Sequence, residues 1–229
     1  MDEGAEVWVV VPAYNEAGVI GAVLGDLARL PYRVVVVDDG SGDGTVETAL
    51  RFPVVVLRHV WNLGQGAALQ TGLRYAVDQP GARFVVTFDA DGQHRPADIA
   101  ALLAPLRTGA ADVTLGSRFL RPGDRRQVGV VKRALLRTAS VFTRLTSRLA
   151  LTDTHNGLRA FTVEAAARVT IRQNGMAHAS ELLDQIARLR LRYCEVPVTI
   201  AYTEYSVRKG QSIWNSVNIV WDIVKEKMR

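Results

Sequence analysis

Val34-Val35-Val36-Val37-Asp38-Asp39-Gly40-Ser41 is the stretch from which the fold can be read. Four consecutive β-branched residues make a strand without a polar face, so both faces must be covered. The run stops at two carboxylates and a glycine, which is turn chemistry. The same pattern recurs to either side. Val7–Val11 is a β-branched run closed by Pro12, and Val54–Leu57, Phe84–Phe88 and Asp112–Leu115 are further short apolar runs. Stretches of helical period lie between them. These are Ala17–Leu30, the short Thr45–Arg51, Gly66–Val77, and a helix that starts at Pro96 as its first residue and continues through Ile99, Leu102, Leu103 and Leu106. Apolar strands alternating with helices predict an α/β protein with a mostly parallel sheet flanked by helices.

The second half is less regular. Lys132–Leu149 and Ala179–Leu189 read as helices and Gly157–Phe161 as a strand. Tyr193–Tyr202 is extended with a break at Pro197, and an apolar stripe from Ile213 to Met228 marks a terminal helix. Trp61 and Phe88 are expected in the core. Glu181 is either a first-turn charge at the start of a helix or a cleft residue. The four histidines show no metal-type spacing, although His94 and His155 are placed to line a cleft.

The chain has 229 residues, 48% of them apolar and 22% charged, which fits one globular domain and excludes a fibrous or wholly disordered chain. No apolar run reaches the roughly 18 residues of a spanning helix. The acidic N-terminus does not read as a secretory signal. The single Cys194 excludes an internal disulfide and fits a reducing compartment. The net charge of +5 is unevenly placed. Arg118–Arg148 holds nine basic residues against Asp124 alone, a local surplus of eight that leaves the rest of the chain at −3. Such a patch points to an anionic partner.

In open α/β sheets, ligands bind beyond the carboxyl ends of the strands. Those ends carry Tyr14, Asn15 and Glu16, then Asp38 and Asp39, then Asp89, Asp91, Gln93 and His94, and finally Arg118. Asp89 and Asp91, two apart after a buried strand, supply the hard oxygen ligands that Mg²⁺ prefers, and Gln93 adds a carbonyl oxygen. Asp38 or Asp39 either caps the following turn or accepts from a nucleobase or ribose. Gly40-Ser41-Gly42-Asp43-Gly44-Thr45 fails the dinucleotide fingerprint, because Thr45 stands at the third glycine position. No Walker-type Gly-Lys-Ser/Thr is present either.

Taken in order, Val10–Glu16, Val36–Ser41, Asn62–Gly66, Asp89–His94, Gly116–Arg118, Asp153–Phe161, Glu195–Val198 and Arg208–Ser212 resemble inverting glycosyltransferase family 2, in particular its dolichyl- or polyprenyl-phosphate sugar transferase branch. The resemblance implies a GT-A fold, with a Rossmann-like nucleotide-binding sheet and a C-terminal acceptor-side extension. Residues 1–204 would form the catalytic domain and 205–229 a loop and amphipathic helix. It implies a nucleotide-sugar donor, carrying UDP or GDP, and a divalent Mg²⁺ or Mn²⁺. By position, Pro12, Tyr14, Glu16 and Asp39, with Asp89, would hold the nucleotide. Asp89, Asp91 and Gln93 would hold the metal and diphosphate, with Asp91 and Arg118 central to catalysis. Arg118, Arg133, Arg208 and Lys209 would meet phosphates of donor or acceptor. The chain departs from the branch at His155-Asn156 and Leu158, and it carries none of the transmembrane helices of many relatives.

A polyprenyl phosphate acceptor is already ionised and needs positioning rather than a general base. The expected setting is cytoplasmic, peripheral at the inner face of the membrane. The basic helix Lys132–Leu149 lies on anionic lipid or packs on the core, and the terminal helix packs on the core, pairs with a second copy or meets a membrane-protein partner. Two alternatives stand beside this reading. One is a transferase with a soluble hydroxyl acceptor, and the other a non-catalytic nucleotide-sugar-binding scaffold. No aromatic-interleaved basic surface or recognised motif points to nucleic acid.

Overall fold

The computed structural model describes residues 5–120, 149–154, 156–175 and 177–201. Seven strands form one sheet: β1 (Val7–Ala13), β2 (Arg33–Asp38), β3 (Val55–Arg58), β4 (Phe84–Thr87), β5 (Val113–Ser117), β6 (Arg159–Thr162) and β7 (Tyr193–Pro197). Six helices accompany them: α1 (Ile20–Leu27), α2 (Thr45–Ala49), α3 (Gln65–Val77), α4 (Asp98–Arg107), α5 (Val163–Arg168) and α6 (His178–Arg188). The strand order is β3-β2-β1-β4-β6-β5-β7. β6 runs antiparallel to both β4 and β5, and every other pairing is parallel.

The valine run is apolar throughout because the sheet is covered on both sides. Val34 and Val36 join one core with α1 and α4, through residues such as Leu24 and Leu102. Val35 and Val37 join the other, with Leu69 and Leu73 of α3, Ala165 of α5 and Leu182 of α6. β1 divides the same way, with Val9 on one side and Val10 on the other.

Strand order places the ligand crevice. The chain winds outward from β1 to β2 and β3, then returns to the opposite side of β1 as β4. The carboxyl ends of β1 and β4 therefore flank the point where winding reverses, which is where open α/β sheets open a crevice. β1 ends at Ala13 and β4 just before Phe88 and Asp89.

Three readings of the sequence are corrected. Trp61 is 67% exposed rather than in the core, because it lies on the loop after edge strand β3; Phe88 is buried as expected. Helix α4 starts at Asp98, with Ala97 as its cap, so Pro96 precedes the helix instead of opening it. Helix α5 was not anticipated; its cap, the Thr162 hydroxyl, accepts from the Ala165 N–H at 3.2 Å. The basic helix at 132–149, save Leu149, and the terminal helix lie outside the described residues. Among the described residues, no helix is long and apolar enough to cross a membrane.

Candidate active site

The loops after β1 and β2 are fastened to each other. The Asn15 N–H donates to Ser41 Oγ at 2.9 Å, and the Gly42 N–H donates to Asn15 Oδ1 at 3.0 Å. The Glu16 N–H donates to Thr45 Oγ1 at 2.8 Å, and the Ala17 N–H to Asp43 Oδ2 at 3.1 Å. Asn15 adopts φ +54°, a left-handed conformation that asparagine tolerates. Pro12, in register with Val37, brings the chain to this junction. Tyr14, 45% exposed, and the buried Glu16 are thus held on a braced turn.

The two carboxylates after the valine run have separate tasks. Asp38 Oδ2 accepts from the Ser41 N–H at 3.1 Å and lies 3.4 Å from Arg58 Nε, so Asp38 serves as a turn cap. Asp39 instead reaches across to the loop after β3. Its Oδ1 meets His59 Nδ1 at 2.7 Å and the Leu63 N–H at 3.0 Å, and its Oδ2 meets the Gly64 N–H at 2.7 Å. An ionised carboxylate offers about four acceptor positions. The loop takes three of them, leaving about one for a further donor such as a nucleobase N–H or a ribose hydroxyl.

Asp89 and Asp91 also differ. Asp89 Oδ1 accepts from Gln65 Nε2 at 3.1 Å, and Oδ2 lies 3.0 Å from His94 Nε2. Burial pushes the Asp89 carboxyl up, but the His94 hydrogen bond and the charges of His94, Arg159 and His178 bring it below the ordinary carboxylate range. Asp91 is held above that range. Burial and the neighbouring Asp89 charge raise it, Glu16 adds to the rise, and the Gln93 N–H and His94 only partly oppose them. Asp91 Oδ1 accepts from the Gln93 N–H at 3.0 Å. Gln93 is itself fixed on the tail of β7, since its carbonyl accepts from the Ala201 N–H at 2.8 Å and His94 bridges to Ile200.

Arg118, just past β5, is seated by Asp153. Its Nε and Nη2 each donate to the Asp153 carboxylate at 2.7 Å, and its backbone N–H adds a bond of 3.1 Å. Asp153 is positioned in turn by Glu195 of β7, whose Oε1 accepts from the Asp153 N–H at 3.0 Å and from Thr152 Oγ1 at 2.9 Å; the Thr152 N–H meets the same carboxylate at 2.8 Å. The fork fixes the plane of the guanidinium. Arg133, Arg208, Lys209 and His155 lie outside the described residues.

An ordered set of braced loops, an acidic pair past β4 and a fixed arginine past β5 form one rim of the sheet. The sequence profile of glycosyl transferase family 2 matches residues 8–169, most of the chain and every strand from β1 to β6. The chain belongs to glycosyl transferase family 2. As a family 2 member it is a glycosyltransferase. It is 31% identical to the UDP-N-acetylglucosamine–dolichyl-phosphate N-acetylglucosaminyltransferase of Methanococcus voltae, over 97% of this chain and 96% of that one. It is 32% identical to the undecaprenyl-phosphate mannosyltransferase of Micrococcus luteus, over 89% and 86%. Among solved structures, glucosyl-3-phosphoglycerate synthase of Mycobacterium tuberculosis, in complex with Mn²⁺, UDP and glucosyl-3-phosphoglycerate, superposes with a TM-score of 0.66 at 24% identity over 88% of this chain and 73% of that one. The fold is thereby the GT-A fold.

Several residues of this family 2 site were not assigned roles from sequence. Arg159 is buried in β6 among apolar neighbours, and its Nε donates to the Asn156 carbonyl at 3.0 Å. Burial lowers its pKa to about 10 against the raising charges of Asp89 and Asp153, so it remains a cation between the two acids. A lone arginine inside an apolar strand segment was the available signal. Gln65 and His178, the first residues of α3 and α6, also act on Asp89, Gln65 by its hydrogen bond and His178 through its charge. Glu181 proves to be a brace, its Oε2 accepting from the N–H groups of Arg172 and Gln173 at 2.9 and 2.8 Å.

Glu195 yields a prediction. Glu195→Ala removes the acceptor for a turn that seats Arg118, and is expected to cost about 1–3 kcal/mol of stability. Turnover should fall while UDP or GDP affinity stays near wild type, because Glu195 braces the turn at Thr152 and Asp153 and touches neither the loop after β1 nor the loop after β2. Chemical denaturation and calorimetric titration check both parts.

Proposed function

We propose that this transferase moves a sugar from a UDP- or GDP-sugar to a polyprenyl phosphate, with inversion and with a divalent Mg²⁺ or Mn²⁺, while associated with the inner face of the membrane. The observation that carries the donor half is the imbalance between the two acids of the rim. Asp89 is compensated by the Arg159 guanidinium and by its hydrogen bond to His94, whereas burial and the Asp89 charge leave Asp91 a carboxylate short of positive charge. A hard dication fits there, with Asp91 and the side-chain amide oxygen of Gln93 as ligands and Asp89 contributing a remaining lone pair. Such an ion would neutralise charge developing on the departing diphosphate.

The protein's own residues account for the rest. Pro12, Tyr14, Glu16 and Asp39 hold the nucleoside beside the fastened β1 and β2 loops. Arg118, with Arg133, Arg208 and Lys209, binds and orients phosphate. A phosphate oxygen of the lipid attacks the anomeric carbon as the bond from that carbon to the diphosphate oxygen breaks. The electron pair leaves with the nucleoside diphosphate. The attacking oxygen carries no proton, so no carboxylate need accept one. Two relatives named for dolichyl- or undecaprenyl-phosphate transfer support this acceptor class.

The test is transfer from labelled UDP-N-acetylglucosamine, UDP-glucose or GDP-mannose to a polyprenyl phosphate, with Mn²⁺ or with EDTA. One donor should label the lipid, and EDTA should abolish the labelling. Transfer only to a hydroxyl compound would overturn the acceptor assignment. Donor binding without turnover in every case would make the protein a scaffold.

A further inference from the structure

The loop between β3 and α3 has an unusual construction. Its ends are pinned to the buried Asp39 carboxylate by His59 on one side and the Leu63 and Gly64 amides on the other. His59 is itself secured at Nε2 by the Thr71 hydroxyl, 3.0 Å away. Between the pins stand Val60, 88% exposed, and Trp61, 67% exposed. Single exposed apolar residues need no explanation. A tryptophan held out into solvent by a buried carboxylate clamp is another matter, because the fold commits a buried charge to fixing it.

Its placement points to an occupant. β3 and β1 flank β2, so at about 4.8 Å per strand their carboxyl ends stand roughly 10 Å apart. The loop that leaves β3 carries Trp61 and the turn that leaves β1 carries Tyr14, the second exposed aromatic of the rim, and Asp39 follows the strand between them. A flat ring in contact on both faces needs walls about 7–8 Å apart, which is on the scale of that two-strand spacing. The Trp61 backbone is seated directly on the turn after Asp39. A Cβ at Gly40 would stand 2.7 Å from the Trp61 carbonyl carbon, so only glycine admits the approach. Arg118 follows β5, which is five strand positions from β3, roughly 24 Å across the sheet. Trp61 is therefore at the nucleoside end of the rim and remote from the phosphate-binding arginine.

We propose that Trp61 forms one wall of the nucleobase pocket, opposite Tyr14, with the remaining acceptor position of Asp39 reading the edge of the base between them. Resting on the donor-site reading above, this adds a residue that sets base affinity. Asp39 acquires a second task, as the clamp that positions Trp61.

The experiment is calorimetric titration of the full chain with UDP and with GDP in Mn²⁺, for wild type, Trp61→Ala and Trp61→Phe, with inorganic pyrophosphate as a ligand that lacks a base. Trp61→Ala should weaken the preferred nucleotide by about five- to hundredfold, as for loss of one base–aromatic stack. Trp61→Phe should recover most of that loss, and pyrophosphate affinity should not change. Trp61 is largely exposed, so circular dichroism should match wild type. Nucleotide affinity unchanged in Trp61→Ala overturns the inference and leaves the donor site standing, as does an equal loss for pyrophosphate. If Trp61→Ala instead only weakens binding to phosphatidylglycerol vesicles, the loop is a membrane contact and the inference is wrong. Wild-type protein binding neither nucleotide would remove the donor-site reading itself, and this inference with it.

Discussion

Asp91→Asn is expected to raise the melting temperature of the metal-free protein while lowering turnover by about two to three orders of magnitude. Both effects have one cause. Burial and the Asp89 charge raise the Asp91 carboxyl, so the folded state holds a proton there more tightly than the unfolded chain does. Well below about pH 4 both states are protonated, and aspartate and asparagine should be equivalent. As pH rises, the unfolded chain ionises first, and the wild type loses stability until the folded carboxyl has ionised too. Above that point the deficit is constant. Asparagine never ionises, so the variant escapes the penalty at neutral pH. Each kcal/mol recovered raises Tm by about 2–4 °C in a chain of this size.

Mn²⁺ reverses the comparison. A ligand that binds only the folded state stabilises by mass action. Wild type should gain stability on titration with Mn²⁺ and UDP or GDP, and Asp91→Asn should gain much less. Thermal melts at about pH 2.5 and at about pH 7 check the charge effect, and melts near pH 7 with and without the ion check its reversal. A variant no more stable than wild type at pH 7 would remove the charge-deficit account of Asp91.

The sequence made the architecture legible because its strongest signal, the uninterrupted valine run, follows directly from a sheet buried on two sides. The rim was legible for the same reason, since polar residues after such strands fall on one edge. What escaped depended on contacts between distant segments. Asp38 and Asp39 are neighbours in the same sequence context, yet one caps its own turn and the other clamps a loop some 24 residues away. Trp61 looks like a core residue by type, and only the position of β3 at the sheet edge leaves it outside. Helix α5 has six residues, too few for a helical period to register, although Thr162 marked its start. Arg118 was read as a phosphate ligand, but sequence did not show that Asp153 and Glu195 hold its plane.

Gly157→Ala is expected to cost nearly all activity through sterics alone. Gly157 needs no left-handed backbone, since its φ lies outside the positive region, so alanine is conformationally acceptable there. The obstacle is Asp89. A Cβ on residue 157 would lie 2.1 Å from Asp89 Oδ2 and 2.8 Å from its Cγ. Asp89 has little room to yield, because Gln65 and His94 hold its two oxygens and the Gly157 carbonyl accepts from Thr87 Oγ1 at 2.7 Å, tying β4 to the same turn. Relief requires breaking the bond to His94 or shifting the 156–158 turn, and the turn leads into Arg159, the buried cation between Asp89 and Asp153. A misplacement on the order of 1 Å at a reacting centre costs about a hundredfold in rate. Loss of the bond to a charged group adds about 1.5–3 kcal/mol of destabilisation. Gly157→Ala should therefore fold with a lowered Tm, bind UDP or GDP weakly in Mn²⁺, and turn over at less than about one hundredth of the wild-type rate. Gly175→Ala is the control, since a Cβ there meets nothing within 4 Å and should leave activity unchanged. Near-normal turnover in Gly157→Ala would mean that Asp89 moves freely, and that its clasp by Gln65 and His94 does not set the geometry of the proposed donor site.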